Sequence, residues 1–175
     1  FKWASKDESS ILRLGFGTGY RVVNVFTEDH AALTGAREVI FTEAILPEKS
    51  WNTTINWNKK IYSKYGAIYD FDFSVFTTEF SNRILPDYET NPNQIIYSNL
   101  DGKSITQGVT VNVNSLFANG LKVNMGATFI DSKIINNNQT EYPFLTEKFS
   151  GNYKLSYTFY SPKITVDISG TVIGP

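Results

Sequence analysis

Apolar and polar residues alternate with a period of two along much of the chain. Between residues 51 and 61 the odd positions read Trp51, Thr53, Ile55, Trp57, Lys59 and Ile61, while Asn52, Thr54, Asn56, Asn58 and Lys60 fill the even ones. Two is the strand period, because successive side chains leave a pleated backbone on opposite faces. After a Ser63-Lys64-Tyr65-Gly66 turn, Tyr69, Phe71, Phe73 and Val75 oppose Asp70, Asp72 and Ser74. The two runs predict a long antiparallel hairpin.

The unit recurs. Ile105, Val109, Val111 and Val113 alternate with Thr106, Gly108, Thr110, Asn112 and Asn114, turn at Ala118-Asn119-Gly120, and return through Leu121, Val123, Met125, Ala127 and Phe129. Tyr153, Leu155, Tyr157 and Phe159 pass a Ser161-Pro162-Lys163 turn to Ile164, Val166, Ile168 and Val172. The opening FKWASKDESSILRLGFG predicts a fourth hairpin, turned at residues 6–9. The expected fold is therefore all-β, an antiparallel up-and-down meander of about eight long strands in one region, 1–175. Its turns are short at one end. At the other end the connections are long, at residues 21–47, 83–94 and 135–145.

That asymmetry is the one shown by outer-membrane barrels. Several runs hold the pattern for roughly ten residues, the length a tilted strand needs to cross a bilayer, whereas strands of soluble proteins cluster near 5–6. The polar face is Asn, Thr, Ser and Gly instead of a Lys/Glu surface, which suits a crowded lumen. Aromatic residues gather towards strand ends (Trp51, Trp57, Tyr62, Tyr65, Phe149, Phe159, Tyr160), as interfacial girdles do. The alternative is a soluble lipocalin-like barrel whose apolar face lines a pocket for a small hydrophobic ligand. Lys59 and Glu79, on the apolar face, count towards it, although both lie near the ends of their runs.

Gly15, Gly17 and Gly19, in LGFGTGYR, fall on every second residue. Neither G-x-G-x-x-G before a helix nor G-x-x-x-x-G-K-[ST] is present, so a phosphate-binding loop is not indicated. The three share one strand face, opposite Leu14, Phe16 and Tyr20, and are assigned a packing role. The wider composition removes other functions. Net charge is −1 with no basic patch, against nucleic-acid binding. Cysteine is absent and the single histidine, His30, has no partner of its kind, so neither a thiolate site nor a cysteine nucleophile exists. No 18-residue apolar run suggests a membrane helix. Asp70 and Asp72 share the polar face and read as lumen-wall charges, leaving no catalytic, metal or cofactor-binding residues and no cofactor expected. Ligand contacts are expected from the long loops, where residues 86–94 offer Asp87, Tyr88 and Glu89; the ligand-binding residues themselves remain unassigned.

LRLGFGTGYRVVNVFTED resembles the segment of TonB-dependent outer-membrane receptors in which a glycine-rich strand ends in G-[YF]-R and is followed by Glu, here Gly19-Tyr20-Arg21 and Glu28. PEKSWNTTINWNKKIY is similar to that family's E-x-S-x-N-x-E-x-G strand, with Trp51 and Thr53–Thr54 replacing usual residues, and FTTEFSNRI to the strand that follows it. IIYSNLDGKSITQGVTVNV matches at Asn99 and Gly108 but has Val109-Thr110-Val111 where a Glu is common. The asparagine-rich loops look like those of Bacteroidetes-type receptors. The resemblance implies a protein of the bacterial outer membrane, not an enzyme, that takes up a scarce nutrient such as siderophore-bound iron, haem, cobalamin or a glycan. It implies that this chain is the C-terminal portion of the barrel wall without a plug, continuing in a larger protein. The partners are then membrane lipid, an unknown small imported ligand, and a plug and TonB system reached through other parts of the protein; nucleic acid is not among them. Arg21 and Glu28 are implied to hold rim and loop together.

Overall fold

A computed structural model of the chain describes residues 1–22, 37–42, 45–136, 139–143 and 147–174. Every regular element among these residues is a strand. In chain order they are β1 (Lys2–Ala4), β2 (Ser10–Arg21), β3 (Glu38–Phe41), β4 (Glu48–Tyr62), β5 (Ile68–Ser81), β6 (Ile84–Asp87), β7 (Gln94–Asn99), β8 (Gly102–Leu116), β9 (Leu121–Asn136), β10 (Gln139–Glu141), β11 (Phe149–Tyr160) and β12 (Lys163–Gly174). Eight of them form one antiparallel meander in the order β1-β2-β4-β5-β8-β9-β11-β12, with β10 folded back on β9. The eight-strand meander expected from alternation is thus present.

The short turns close as expected. Gly66 and Gly120 take φ of +80° and +87°, backbone that side chains with a Cβ rarely adopt. The long connections differ from simple loops. That after β5 runs on to Asp101 and contains β6 and β7, while β3 lies in the one before β4. These three short strands make a second sheet, β3-β7-β6, in which β3 runs parallel to β7. Alternation over four or six residues, on segments distant in sequence, is too brief a signal to reveal such a sheet.

Register decides which side chains share a face. One row of directly opposed residues reads Leu14, Ile55, Val75, Val109, Phe129, Phe149. A polar row three residues along reads Asn58, Asp72, Asn112, Gly126, Asn152. The apolar side is open to the surroundings: Trp51 is 55%, Phe129 59% and Ile168 60% exposed. In the lipocalin arrangement these same side chains would point inward, whereas among the described residues they face out. The polar side is knit across the strands, with Asn58 Nδ2 donating to Asp70, Asn56 Nδ2 to Asp72 and Ser74, Asn52 Nδ2 to Thr78, and Asn124 Nδ2 to Asn114.

The apolar side forms a belt that is oblique to these rows. On β4 it extends from Trp51 to Ile61, and on β11 from Phe149 to Phe159. Yet the row through Phe149 crosses β4 at Ile55, and the row through Ile61 crosses β11 at Leu155. Both edges have moved about four residues over four strand-to-strand steps, which at ~3.3 Å per residue and ~4.8 Å between strands is an inclination of about 35°. Strands of membrane barrels tilt by 35–45°, and the resulting belt height of about 27 Å matches their apolar band of ~25 Å. A solvent-facing patch has no reason to follow this incline.

Polar residues on the belt face find partners near its margins. Glu79 receives Lys103 at 3.2 Å, and Lys59 Nζ donates to Ser9 Oγ at 2.9 Å. Trp57, expected in a terminal girdle, instead lies within the belt, where its indole N–H donates to Ser10 Oγ at 2.9 Å. Expected outcome: in the complete protein, Val111→Arg at mid-belt destabilises the folded state by about 2–4 kcal/mol, whereas Asn112→Arg on the polar face costs much less, as read by urea unfolding in lipid vesicles.

Candidate functional site

The long-connection end of the wall carries the second sheet and with it the chain's own hydrophobic core. β3 (EVIF) and β7 (QIIYSN) are β-branched and aromatic, suited to a pleated, half-buried surface. Ile84, Ile95 and Tyr97 are buried there, with Val39, Phe41 and Ile45 packed against them. The rings of Phe41 and Tyr97 stack with centroids 5.3 Å apart. This cluster gives the connections a packed platform.

Polar contacts tie the platform to the wall. Glu48, the first residue of β4, is only 7% exposed. One of its oxygens accepts from Arg21 Nε at 2.7 Å and the other from the backbone N–H of Ile84 in β6 at 2.8 Å. A buried carboxylate is sustained here by a charge-assisted bond on one side and an N–H on the other. Arg21 thus joins rim and connection as expected, but through Glu48; Glu28 and His30 lie outside the described residues. Asn99 clamps two further backbone segments: its Oδ1 accepts from Leu46 N–H at 2.7 Å, and its Nδ2 donates to the carbonyls of Leu46 and Asn82 at 2.9 and 2.7 Å. Arg83 reaches the buried Ser104 hydroxyl at 2.8 Å.

Beside the platform a hollow of about 680 Å³ is edged by Asp87, Tyr88, Glu89, Asp101 and Glu141. The three loop residues offered by residues 86–94 therefore do come together, joined by two acidic residues that sequence reasoning passed over because 101 and 141 lie on different connections. Asp87 is held by its own turn, accepting from the N–H groups of Glu89 and Thr90 at 2.9 and 3.0 Å and from the Thr90 hydroxyl at 2.5 Å. The Thr90 hydroxyl first, then these two N–H groups, keep its carboxyl below the ordinary value of 3.8. Carboxylates, a phenol and backbone carbonyls suit hydrogen bonding to hydroxyl- and amine-bearing molecules. Among the described residues, no three Asp, Glu or His side chains converge as metal ligands would.

A second concavity, of about 310 Å³, lies on the polar side of the wall among Asn58, Asp70, Asp72, Asn112, Asn124 and Asn152. Asp70 and Asp72 sit in it as wall charges, each accepting from an asparagine. Gly15, Gly17 and Gly19 face the same side, opposite Thr54, Asn52 and Ser50. Hydroxyls of Thr54 and Ser50 crowd the places where a Cβ on Gly15 or Gly19 would stand, at 2.6 and 2.9 Å, while Gly17 has nothing within 4 Å. Gly108 makes room for the Phe76 ring.

A family model described as TonB dependent receptor-like, beta-barrel matches residues 2–172. Among solved structures, the FrpB iron transporter from Neisseria meningitidis (F3-3 variant) superimposes with a TM-score of 0.75 at 14% identity, over 97% of this chain and 25% of that one. A double mutant of the Serratia marcescens hemophore receptor HasR, in complex with its hemophore HasA and heme, superimposes with a TM-score of 0.76 at 13% identity, over 99% of this chain and 31% of that one. At such identities the likeness concerns the fold. The chain spans about a quarter to a third of the length of these receptors. No curated protein matches it.

Two outcomes follow from this geometry. Glu48→Ala leaves the Ile84 N–H without its acceptor and removes a bond to Arg21, at a local cost of about 1–3 kcal/mol. Hydrogen exchange and proteolysis are expected to accelerate across residues 82–101 while β8 and β9 stay protected. Because the carboxyl of Asp87 is lowered in the folded state, its turn is fully supported above pH 3.8 and loses that support as the pH falls through the lower folded value. Exchange at Glu89 and Thr90, measured relative to Asp87→Asn, is expected to rise in acid only.

Proposed function

Since the chain belongs to the TonB-dependent receptor-like β-barrel family, we propose that it forms part of the barrel wall of an outer-membrane receptor that imports a scarce nutrient. Members of this family are transporters, not enzymes, and reside in the outer membrane of Gram-negative bacteria. In this reading residues 1–175 are the C-terminal portion of the barrel domain, and the plug and the contact with the TonB system belong to the rest of the protein. The inclined apolar belt carries the reading: it meets lipid, and the asparagine-rich side turns to the lumen.

The imported compound is a small ligand of the kind such receptors handle, siderophore-bound iron, haem, cobalamin or a glycan. FrpB is an iron transporter and HasR a hemophore receptor seen in complex with heme, which supports the first two classes. Ligand is captured at the long-connection end, where the platform of β3, β6 and β7 presents the hollow around Asp87, Tyr88 and Glu89. A rigidly held platform favours binding, because fewer residues must be ordered when ligand arrives.

Deleting the gene for the complete protein is expected to abolish growth on one scarce nutrient supplied singly, and loss of TonB function is expected to do the same. Restoring the gene with Tyr88→Ala and Glu89→Ala should raise the nutrient concentration needed for half-maximal growth several-fold, since a well-packed aromatic contact is worth about 1 kcal/mol or more. Growth on every candidate nutrient without the gene would overturn the reading.

A further inference from the structure

The lipid-facing side of the wall has a dent. Two aromatic pairs rise from it, Phe16 against Trp51 with ring centroids 5.6 Å apart and Phe129 against Phe149 at 4.8 Å. Between them the register places the smaller Thr77 and Val75 on β5 and Val109 on β8. The result is a hollow of about 500 Å³ with a floor of Thr53, Ile55, Val75, Thr77 and Val109. Gln107, Asp131 and Lys148 close it at the long-connection end.

The charges at that end are unequal in what they still have to offer. Asp131 is engaged, receiving Lys133 at 2.8 Å and Gln107 Nε2 at 3.2 Å. Lys148 is exposed. Its carbonyl accepts from the Ile130 N–H at 2.8 Å and its ammonium lies within electrostatic reach of Asp131. No side-chain hydrogen bond or ion pair at contact distance holds that ammonium among the described residues. An apolar hollow in a bilayer is filled by hydrocarbon, because an empty one forfeits dispersion contacts and water finds few partners in it. A lysine at the belt margin extends its charge to headgroup level, where phosphate collects.

We propose that this hollow holds one acyl chain of a phosphate-bearing lipid from the leaflet on the long-connection side, with the phosphate set against Lys148. The inference rests on the outer-membrane reading above. The belt supplies the hydrocarbon depth, Phe129 supplies a side wall, and the lysine supplies the selectivity that a purely apolar dent lacks.

The test uses the complete receptor in mild detergent, stripped of native lipid and offered phosphatidic acid or a diacylglycerol with the same acyl chains. Native mass spectrometry then counts the lipid retained. Phosphatidic acid is expected to be retained roughly fivefold better than diacylglycerol, Lys148→Ala to remove that preference, and Lys148→Arg to keep it. Thr53→Phe with Thr77→Phe, which fills the floor, is expected to reduce retention of both lipids. Equal retention of the two lipids by the native receptor, or an unchanged preference in Lys148→Ala, overturns the site while leaving the membrane reading intact. A receptor that stays folded and monomeric with no detergent overturns both. The comparison of lipids on the native receptor needs no substitution, so it decides even where a variant fails to fold.

Discussion

In hydrocarbon an unpaired backbone N–H or C=O costs several kcal/mol, so a strand can stand in a membrane only where a neighbour on each side satisfies it. That constraint organises the wall. From β4 to β11 the strands of the meander are paired on both edges, whereas β2 meets β1 at three register positions only. Long strands follow because pairing has to persist for the whole thickness of the bilayer. The same pleat that lines up the hydrogen bonds sends alternate side chains to opposite faces. One face is then free to become lipid-compatible and the other polar. The oblique belt is the joint signature of both demands, with the strands tilted and the membrane level.

On the polar face the dominant chemistry is carboxamide and hydroxyl. Asparagine donates and accepts at once, so ladders such as Asn52 to Thr78 or Asn124 to Asn114 satisfy side chains across strands without a net charge. Two aspartates add charge where asparagines can bond to them. A lumen built this way can face water or another polar surface without large desolvation penalties, and Gly17 leaves a bare stretch of backbone open towards it.

The long-connection end solves a different problem. Outside the bilayer a connection cannot rely on lipid to define its shape, and this one makes a small core of Ile84, Ile95 and Tyr97 and then fastens it down. Glu48 is the junction, since its two oxygens hold Arg21 of the wall and Ile84 of the platform. Asn99 performs the same service for two carbonyls and an N–H. Such contacts convert variable loops into a surface with a defined hollow.

The wall was legible because it repeats a local rule: alternation with period two, punctuated by turns such as Ala118-Asn119-Gly120, sets strand identity, pairing order and the face of the residues in its long strands. The oblique course of the belt was implicit in the same residues but needed the register to be seen. The platform was illegible, because β3 pairs in parallel with β7 across more than fifty intervening positions and neither is long enough to show a period. Arg21 announced itself as a rim residue, yet its partner Glu48 emerged only when tertiary structure brought β2, β4 and β6 together. Asp87, Tyr88 and Glu89 could be named as loop residues, while the hollow they share with Asp101 and Glu141 depends on how three connections fold. Local periodicity is written in neighbouring residues and can be read directly; contacts between distant segments depend on packing that no short stretch contains.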